Sequence, residues 1–297
     1  MKKILALIMV LCLAAAALVA CGSKEADYTL GIGAAVSNSG FKVTTTVASV
    51  VLDDAGKIVA CRIDAVDVNK SEGDELAFAA EFATKAELGD SYGMLSDYGS
   101  SLAEWYKQAE YFEGVVVGKT ADEVATIKKG DAELAAGCTI DVADFVKAVV
   151  NACKSEHKVT FKTADDITLG VSVIGAAKLG EEKVTYTADL AGTVVAGGKV
   201  VAAVIDSLEA TVALDGGEAG AFEYTGTKLE KGDDYGMLSA YGSSLAEWYV
   251  QAQNFADTAV GKAPADVANL ATEGVAGCTI YVGGYHKALV KAAGNVR

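Results

Sequence analysis

Apolar residues follow two rhythms along this chain, and both rhythms occur twice in the same order. Residues 43–52 and 57–68 are dense in Val, Ile and Thr, separated by Asp53-Asp54-Ala55-Gly56. β-Branched runs on either side of turn-forming residues predict a pair of antiparallel strands. Residues 184–195 and 199–205 repeat the arrangement around Gly197-Gly198. Phe222-Glu223-Tyr224-Thr225 alternates apolar and polar side chains, as a half-buried strand does. The corresponding stretch, Phe78–Thr84, is expected to be a strand too, although the Ala-rich segment 75–85 suits a helix equally well.

Farther along each half the period lengthens. Leu102, Trp105, Tyr106, Ala109 and Phe112 are spaced as one face of an amphipathic helix. Ser101-Leu102-Ala103-Glu104 has the spacing of a capping box at its start, and Thr120-Ala121-Asp122-Glu123 has it again, with Val124 and Ile127 turned inward. The second copy carries Pro264 there, in a first turn that tolerates proline. Val142, Phe145, Val146, Val149, Val150 and Cys153 share one face of a last helix. Strands followed by three helices predict an α+β fold, helices packed on an antiparallel sheet.

The repetition is close enough to align by eye. Tyr92–Ala109 and Tyr235–Ala252 agree at 16 of 18 positions. Ala136-Gly137-Cys138-Thr139-Ile140 returns as Ala276-Gly277-Cys278-Thr279-Ile280, and Thr29-Leu30-Gly31 as Thr168-Leu169-Gly170. The repeating unit is far longer than a solenoid repeat. Two tandem homologous α+β domains are therefore expected, at 28–155 and 156–297.

The N-terminus changes the picture of where this happens. Met1-Lys2-Lys3 precedes an apolar run from Ile4 to Ala20, the pattern of an export signal. The run ends in Leu18-Val19-Ala20-Cys21. This resembles the lipobox of bacterial lipoproteins, which implies cleavage after residue 20, a lipid on Cys21, and a membrane-anchored extracytoplasmic protein with 21–27 as a tether. The chain has 25 basic and 40 acidic side chains. Losing Lys2 and Lys3 with the signal leaves a charge of −17. So acidic a protein is not expected to bind nucleic acid, which needs clustered Lys and Arg. Four cysteines remain beyond Cys21, with no CxxC pair, and are expected to be mostly small buried residues. His157 and His286 have no ligand-like spacing.

Two features remain as candidate chemistry. No nucleophile–base pair, glycine-rich dinucleotide loop or P-loop is visible. In each half a Gly-Cys-Thr turn, Gly137–Thr139 and Gly277–Thr279, stands just before the last helix. A helix start offers free N–H groups to a phosphate, and the threonine could contact or esterify one. The plainer reading is a capped helix. The second feature is the duplicated Tyr-Gly-Met…Trp-Tyr tract. Tyr92, Tyr98 and Trp105 could form a wall for a planar ring, with Tyr235 as the counterpart of Tyr92 in the second copy, or the tract could be a structural loop with Trp105 and Tyr106 as core anchors.

The layout resembles the FMN-binding domain of exported bacterial flavoproteins. The likeness rests on Gly56-Lys57-Ile58, with Gly198-Lys199-Val200, and on the tracts Glu133–Thr139 and Glu273–Thr279 before an Ala- and Val-rich helix. The family's motif has Asp, Ser/Thr and Ala where Glu133, Ala136 and Cys138 stand here. The resemblance implies FMN joined through its phosphate to Thr139 and Thr279 by a flavin transferase, with electron transfer to a redox partner outside the membrane. Two other classes stay open: a non-catalytic surface module binding a glycan, peptide or small molecule, and a structural lipoprotein without a ligand.

Overall fold

The computed structural model describes residues 25–73, 75–95, 102–238 and 245–297. The first half contributes β1 (Ala26–Ser39), β2 (Lys42–Leu52) and β3 (Ile58–Val68), then α1 (Lys85–Leu88), α2 (Trp105–Val116), α3 (Ala121–Val124) and α4 (Ala143–Lys154). The second contributes β4 (Val159–Thr163), β5 (Ile167–Leu179), β6 (Lys183–Ala196), β7 (Lys199–Asp215) and β8 (Glu218–Tyr224). It continues with α5 (Lys228–Lys231), α6 (Trp248–Ala256) and α7 (Gly283–Gly294). Turn chemistry sets the first hairpins. Asp53 Oδ1 accepts from the N–H of Ala55 at 3.0 Å and of Lys57 at 2.8 Å, and Gly56 supplies the φ of 74°.

The strands form two antiparallel sheets, β3-β2-β1-β4 and β5-β6-β7-β8. The sheets stack face to face. Leu30, Ile32, Val47 and Val66 of the first share one core with Leu169, Leu190, Val204 and Leu208 of the second. Tyr186 of β6 donates its hydroxyl to the Phe41 carbonyl across this interface at 2.6 Å. The outer faces are covered by helices. Gly31 and Gly33 lie against α4 so closely that an added Cβ would overlap the backbone of Ala152, and Gly170 lies as closely against Ala292 of α7. The order of layers is helix, sheet, sheet, helix.

This arrangement confirms an α+β fold. The halves share one core between the sheets, and the first half closes a second core between its own sheet and helices around Trp105, Phe112 and Phe145. β4, placed by sequence in the second half, pairs antiparallel with β1 of the first, Tyr28 opposite Phe161. Contacts across the junction occur in matched pairs. Asn151 donates to Glu230 at 2.8 Å, and at the corresponding place Lys291 donates to Glu87 at 2.6 Å.

Two local expectations need correction. Phe78–Thr84 is not a strand: only Phe78 and Thr84 make isolated bridges, to Lys70 and Val66, and Thr84 instead caps α1 in a capping box with Glu87. Glu104 stands at the helix start. It is the N-cap residue of α2, and its carboxylate accepts from the N–H of Met94 at 2.9 Å and Leu95 at 3.2 Å. Ser101 lies outside the described residues. The Thr120–Glu123 box forms as expected, and Val124 and Ile127 are buried beneath it. Pro264 opens a 3-10 turn, Pro264–Asn269, rather than an α-helix.

Candidate functional site

The candidate site is organised by a glutamine on the inner face of α2 and its counterpart on α6. Gln108 and Gln251 are fully buried. Gln251 Oε1 accepts from Thr279 N at 2.8 Å and Thr279 Oγ1 at 2.9 Å. Gln108 Oε1 accepts from Thr139 N at 2.8 Å, Thr139 Oγ1 at 3.3 Å and Ile140 N at 3.3 Å. At the other end of each amide, Nε2 donates to a carbonyl, that of Ala103 at 2.7 Å or Ala246 at 2.8 Å. Backbone donors on one side and a carbonyl on the other admit one amide orientation. The sulfur of Met94 or Met237 is 3.5 or 3.4 Å from the same nitrogen. The duplicated aromatic tract and the Gly-Cys-Thr turn are thus joined through one side chain. Sequence reasoning listed both features and missed the joint, although both glutamines stood among the 16 matching positions.

Thr139 and Thr279 are exposed at the surface. Neither is at a helix start, which corrects the expectation of an anion held by helix N–H groups. α4 begins at Ala143 behind Val142, and α7 at Gly283 behind Val282. The Ala143 N–H is taken by Asp141 Oδ1 at 2.9 Å. Gly137 packs beneath the Tyr111 ring, where a Cβ would overlap it, while Gly277 takes a φ of 72°. Between glycine and threonine, burial pushes the Cys138 thiol up to about 11 and raises that of Cys278, so neither is a ready thiolate at neutral pH. The four described cysteines are unpaired, three of them buried.

The surroundings of the two threonines differ. Thr279 borders an open depression of about 620 Å³ lined also by Glu273, Val275, Cys278, Ile280 and Tyr281. The Tyr281 ring is 87% exposed. In the first half Asp141 stands in its place, and Glu133 is paired with Lys119 at 2.9 Å.

The described rings of the aromatic tract carry the chain's own lysines. Lys85 Nζ lies 5.1 Å from the Tyr92 ring centre and 5.6 Å from that of Trp105, and 3.3 Å from Asp67 Oδ1. Lys228 Nζ lies 5.2 Å from Tyr235 and 5.0 Å from Trp248, and donates to the Tyr285 hydroxyl at 3.2 Å. Each tyrosine ring thus holds the chain's own ammonium, a cation–π contact. Trp105 and Trp248 are core anchors. The tyrosines and serines at 96–101 and 239–244 lie outside the described residues, as does Cys21.

A buried aspartate stabilises the start of the capped turn in each half. Asp206 Oδ1 accepts from Ser207 N at 2.7 Å and Leu229 N at 3.0 Å. Asp64 Oδ1 does so from Ala65 N at 2.7 Å and Ala86 N at 3.1 Å. Burial outweighs these bonds and pushes Asp64 up to about 6 and Asp206 to about 7. His157 stacks on Tyr249 at 4.1 Å and His286 Nε2 is bonded to the Val267 carbonyl at 3.0 Å. Among the described residues no group of side chains has the make-up of a metal site, and no helix is long and apolar enough to cross a membrane.

No family model matches the chain. No solved structure matches it. A chlorophenol reductase of Desulfitobacterium hafniense is 37% identical over 95 residues, which cover 27% of this chain and 28% of that protein.

Proposed function

We propose that the protein is a lipid-anchored, extracytoplasmic flavin carrier that bears FMN on Thr279 and passes electrons to a redox partner. One observation carries the reading: a buried glutamine holds the backbone N–H of an otherwise exposed threonine at the rim of a partly apolar depression, and the hydroxyl, whose proton is lost on esterification, gives up its own bond to that glutamine. The volume falls within the range of small-molecule sites, roughly 300–1,000 Å³. The lining fits a tethered flavin and does not fit a reversibly bound one. Glu273 is the only charged side chain of the wall, so a free phosphate dianion has no counter-charge there, whereas a phosphoester is held by its bond. Tyr281 offers a ring face and Val275 and Ile280 an apolar ledge. Flavin, when bound, supplies one- or two-electron chemistry, and the protein sets its position and polarity. Thr139 shares the glutamine but has Asp141 where the second half has Tyr281, so it lacks the ring of the Thr279 wall. The partial likeness to a protein named as a reductase accords with a redox role.

The test is the intact mass of protein made in its native host with its transferase. One FMN less water adds about 438 Da for a phosphoester to threonine. Thr279→Val should lose that mass and the in-gel fluorescence, and Thr139→Val should keep both. An unmodified wild-type protein, or a Thr279→Val protein carrying the full mass, overturns the proposal. Cys21→Ala should release the protein from the membrane fraction.

A further inference from the structure

A separate cavity of about 380 Å³ opens where β3 and α2 meet the residues that follow α7. Its wall includes Arg62, Asp64, Glu87, Trp105, Val171 and Arg297. Arg62 is only 9% exposed. Its Nε is 3.8 Å from Glu113 Oε1, beyond hydrogen-bond range, and neither Nε nor Nη1 has a hydrogen-bond partner. Glu113 is committed elsewhere: Oε1 accepts from Ile63 N at 2.7 Å and Oε2 from Arg297 Nη2 at 2.8 Å. A buried guanidinium lacking acceptors is costly.

The second half shows that the fold does not require it. Asp64 and Asp206 make the same bonds, and Trp105 and Trp248 open the same helix, which fixes the correspondence. On that alignment Val204 stands for Arg62 and Ala256 for Glu113, both buried. Apolar residues often replace a buried ion pair at no loss of stability. A charged pair at one of two equivalent places points to a ligand that needs it.

We propose that this cavity binds a small monocarboxylate, whose oxygens accept from Arg62 and whose apolar body lies against Trp105 and Val171. The guanidinium fork matches a carboxylate in shape, and Arg297 adds a second positive charge to the wall. Asp64 and Glu87 in the same wall weigh against a phosphate dianion, although Lys291 offsets Glu87. The volume suits an acid of a few to about ten heavy atoms. The site is distinct from the Thr279 depression and does not depend on flavin.

Calorimetric titration with acetate and benzoate, with benzamide as the uncharged control, tests the assignment. The full mature chain should bind at least one of the two acids and bind benzamide about tenfold or more weakly than benzoate. The Arg62→Val/Glu113→Ala double variant, which carries the second half's residues, should fold, with a thermal midpoint lowered by the loss of the Glu113 bonds to Ile63 and Arg297, and lose the acid. Arg62→Lys, which keeps the charge without the fork, should bind about tenfold more weakly. No heat with either acid at millimolar concentration, equal binding of benzamide, or undiminished binding by Arg62→Lys overturns it.

Discussion

Replacing Gln251 by leucine tests whether the buried amide holds the threonine turn. The side chain is fully buried and near leucine in volume, so the substitution removes hydrogen bonds without opening a large void. At least three bonds of 2.8–2.9 Å disappear, two from Thr279 and one to the Ala246 carbonyl, with the longer contact to the Met237 sulfur. Each typical bond contributes about 1 kcal/mol net. Thr279 is exposed and can regain water, so the loss should fall below the sum, to about 2 kcal/mol. For a chain of this size that is a fall of roughly 4–8 °C in thermal midpoint, read by circular dichroism and checked by urea unfolding. Gln251→Glu separates the network from mere packing. A glutamate there keeps the acceptor for Thr279 but, when ionised, has no donor for the Ala246 carbonyl. Burial would raise its folded pKa above the unfolded value, so its contribution is present at low pH and lost as pH rises. The leucine variant should show no added pH dependence; the glutamate variant should weaken between pH 4 and 8. A leucine variant within about 0.5 kcal/mol of wild type, the range of inert substitutions, or a glutamate variant indifferent to pH, would refute the network.

The buried aspartates predict a second pH effect. Burial lifts Asp206 to about 7, above its unfolded value, so the native state gains stability below pH 4 that is lost as pH rises through 7. Asp206→Asn should flatten urea midpoints across that window, by on the order of 4 kcal/mol at most. Gly170→Ala should cost about 1–3 kcal/mol through overlap with Ala292, with Gly31→Ala alike, measured by thermal unfolding; an unchanged midpoint would mean α7 is not so closely seated. Lys228→Met should destabilise by about 1–2 kcal/mol as the ammonium leaves Tyr235 and Trp248, and a neutral result would restore those rings as an available ligand wall.

The local elements were the legible part of the sequence. The helix at Trp105–Val116 announced itself by period, and Thr120 and Glu123 by their spacing. Ser101 and Glu104 have that same spacing, yet Glu104 reaches back ten residues to Met94, a partner that no local pattern specifies. Stacking of the sheets was hidden for a different reason. β1 and β2 are buried on one face by α4 and on the other by the second sheet, so their apolar run is nearly continuous. Such a run does not say which face meets what. β4 is five residues long, and its pairing with β1 across the chain leaves no local mark. Tyr92 and Tyr235 were visible as aromatic candidates, but each belongs to a lysine seven residues upstream, a pairing that only the folded turn reveals.

Duplication within one chain provides its own control for separating architecture from function. What both halves keep has a structural account. The glutamine joins two loops, the aspartate holds a capped turn, and the lysine lies against matching Tyr and Trp rings in each half. Their near-identity therefore reflects packing that neither half can relax. What one half alone keeps has no such account. Tyr281 leaves its ring in solvent where the first half has Asp141, and Arg62 leaves donors unmet where the second half has Val204. Both residues are worse for a folded chain than their counterparts: one exposes an apolar ring, the other buries a charge. The fold tolerates the alternative in each case, so packing alone does not account for either departure.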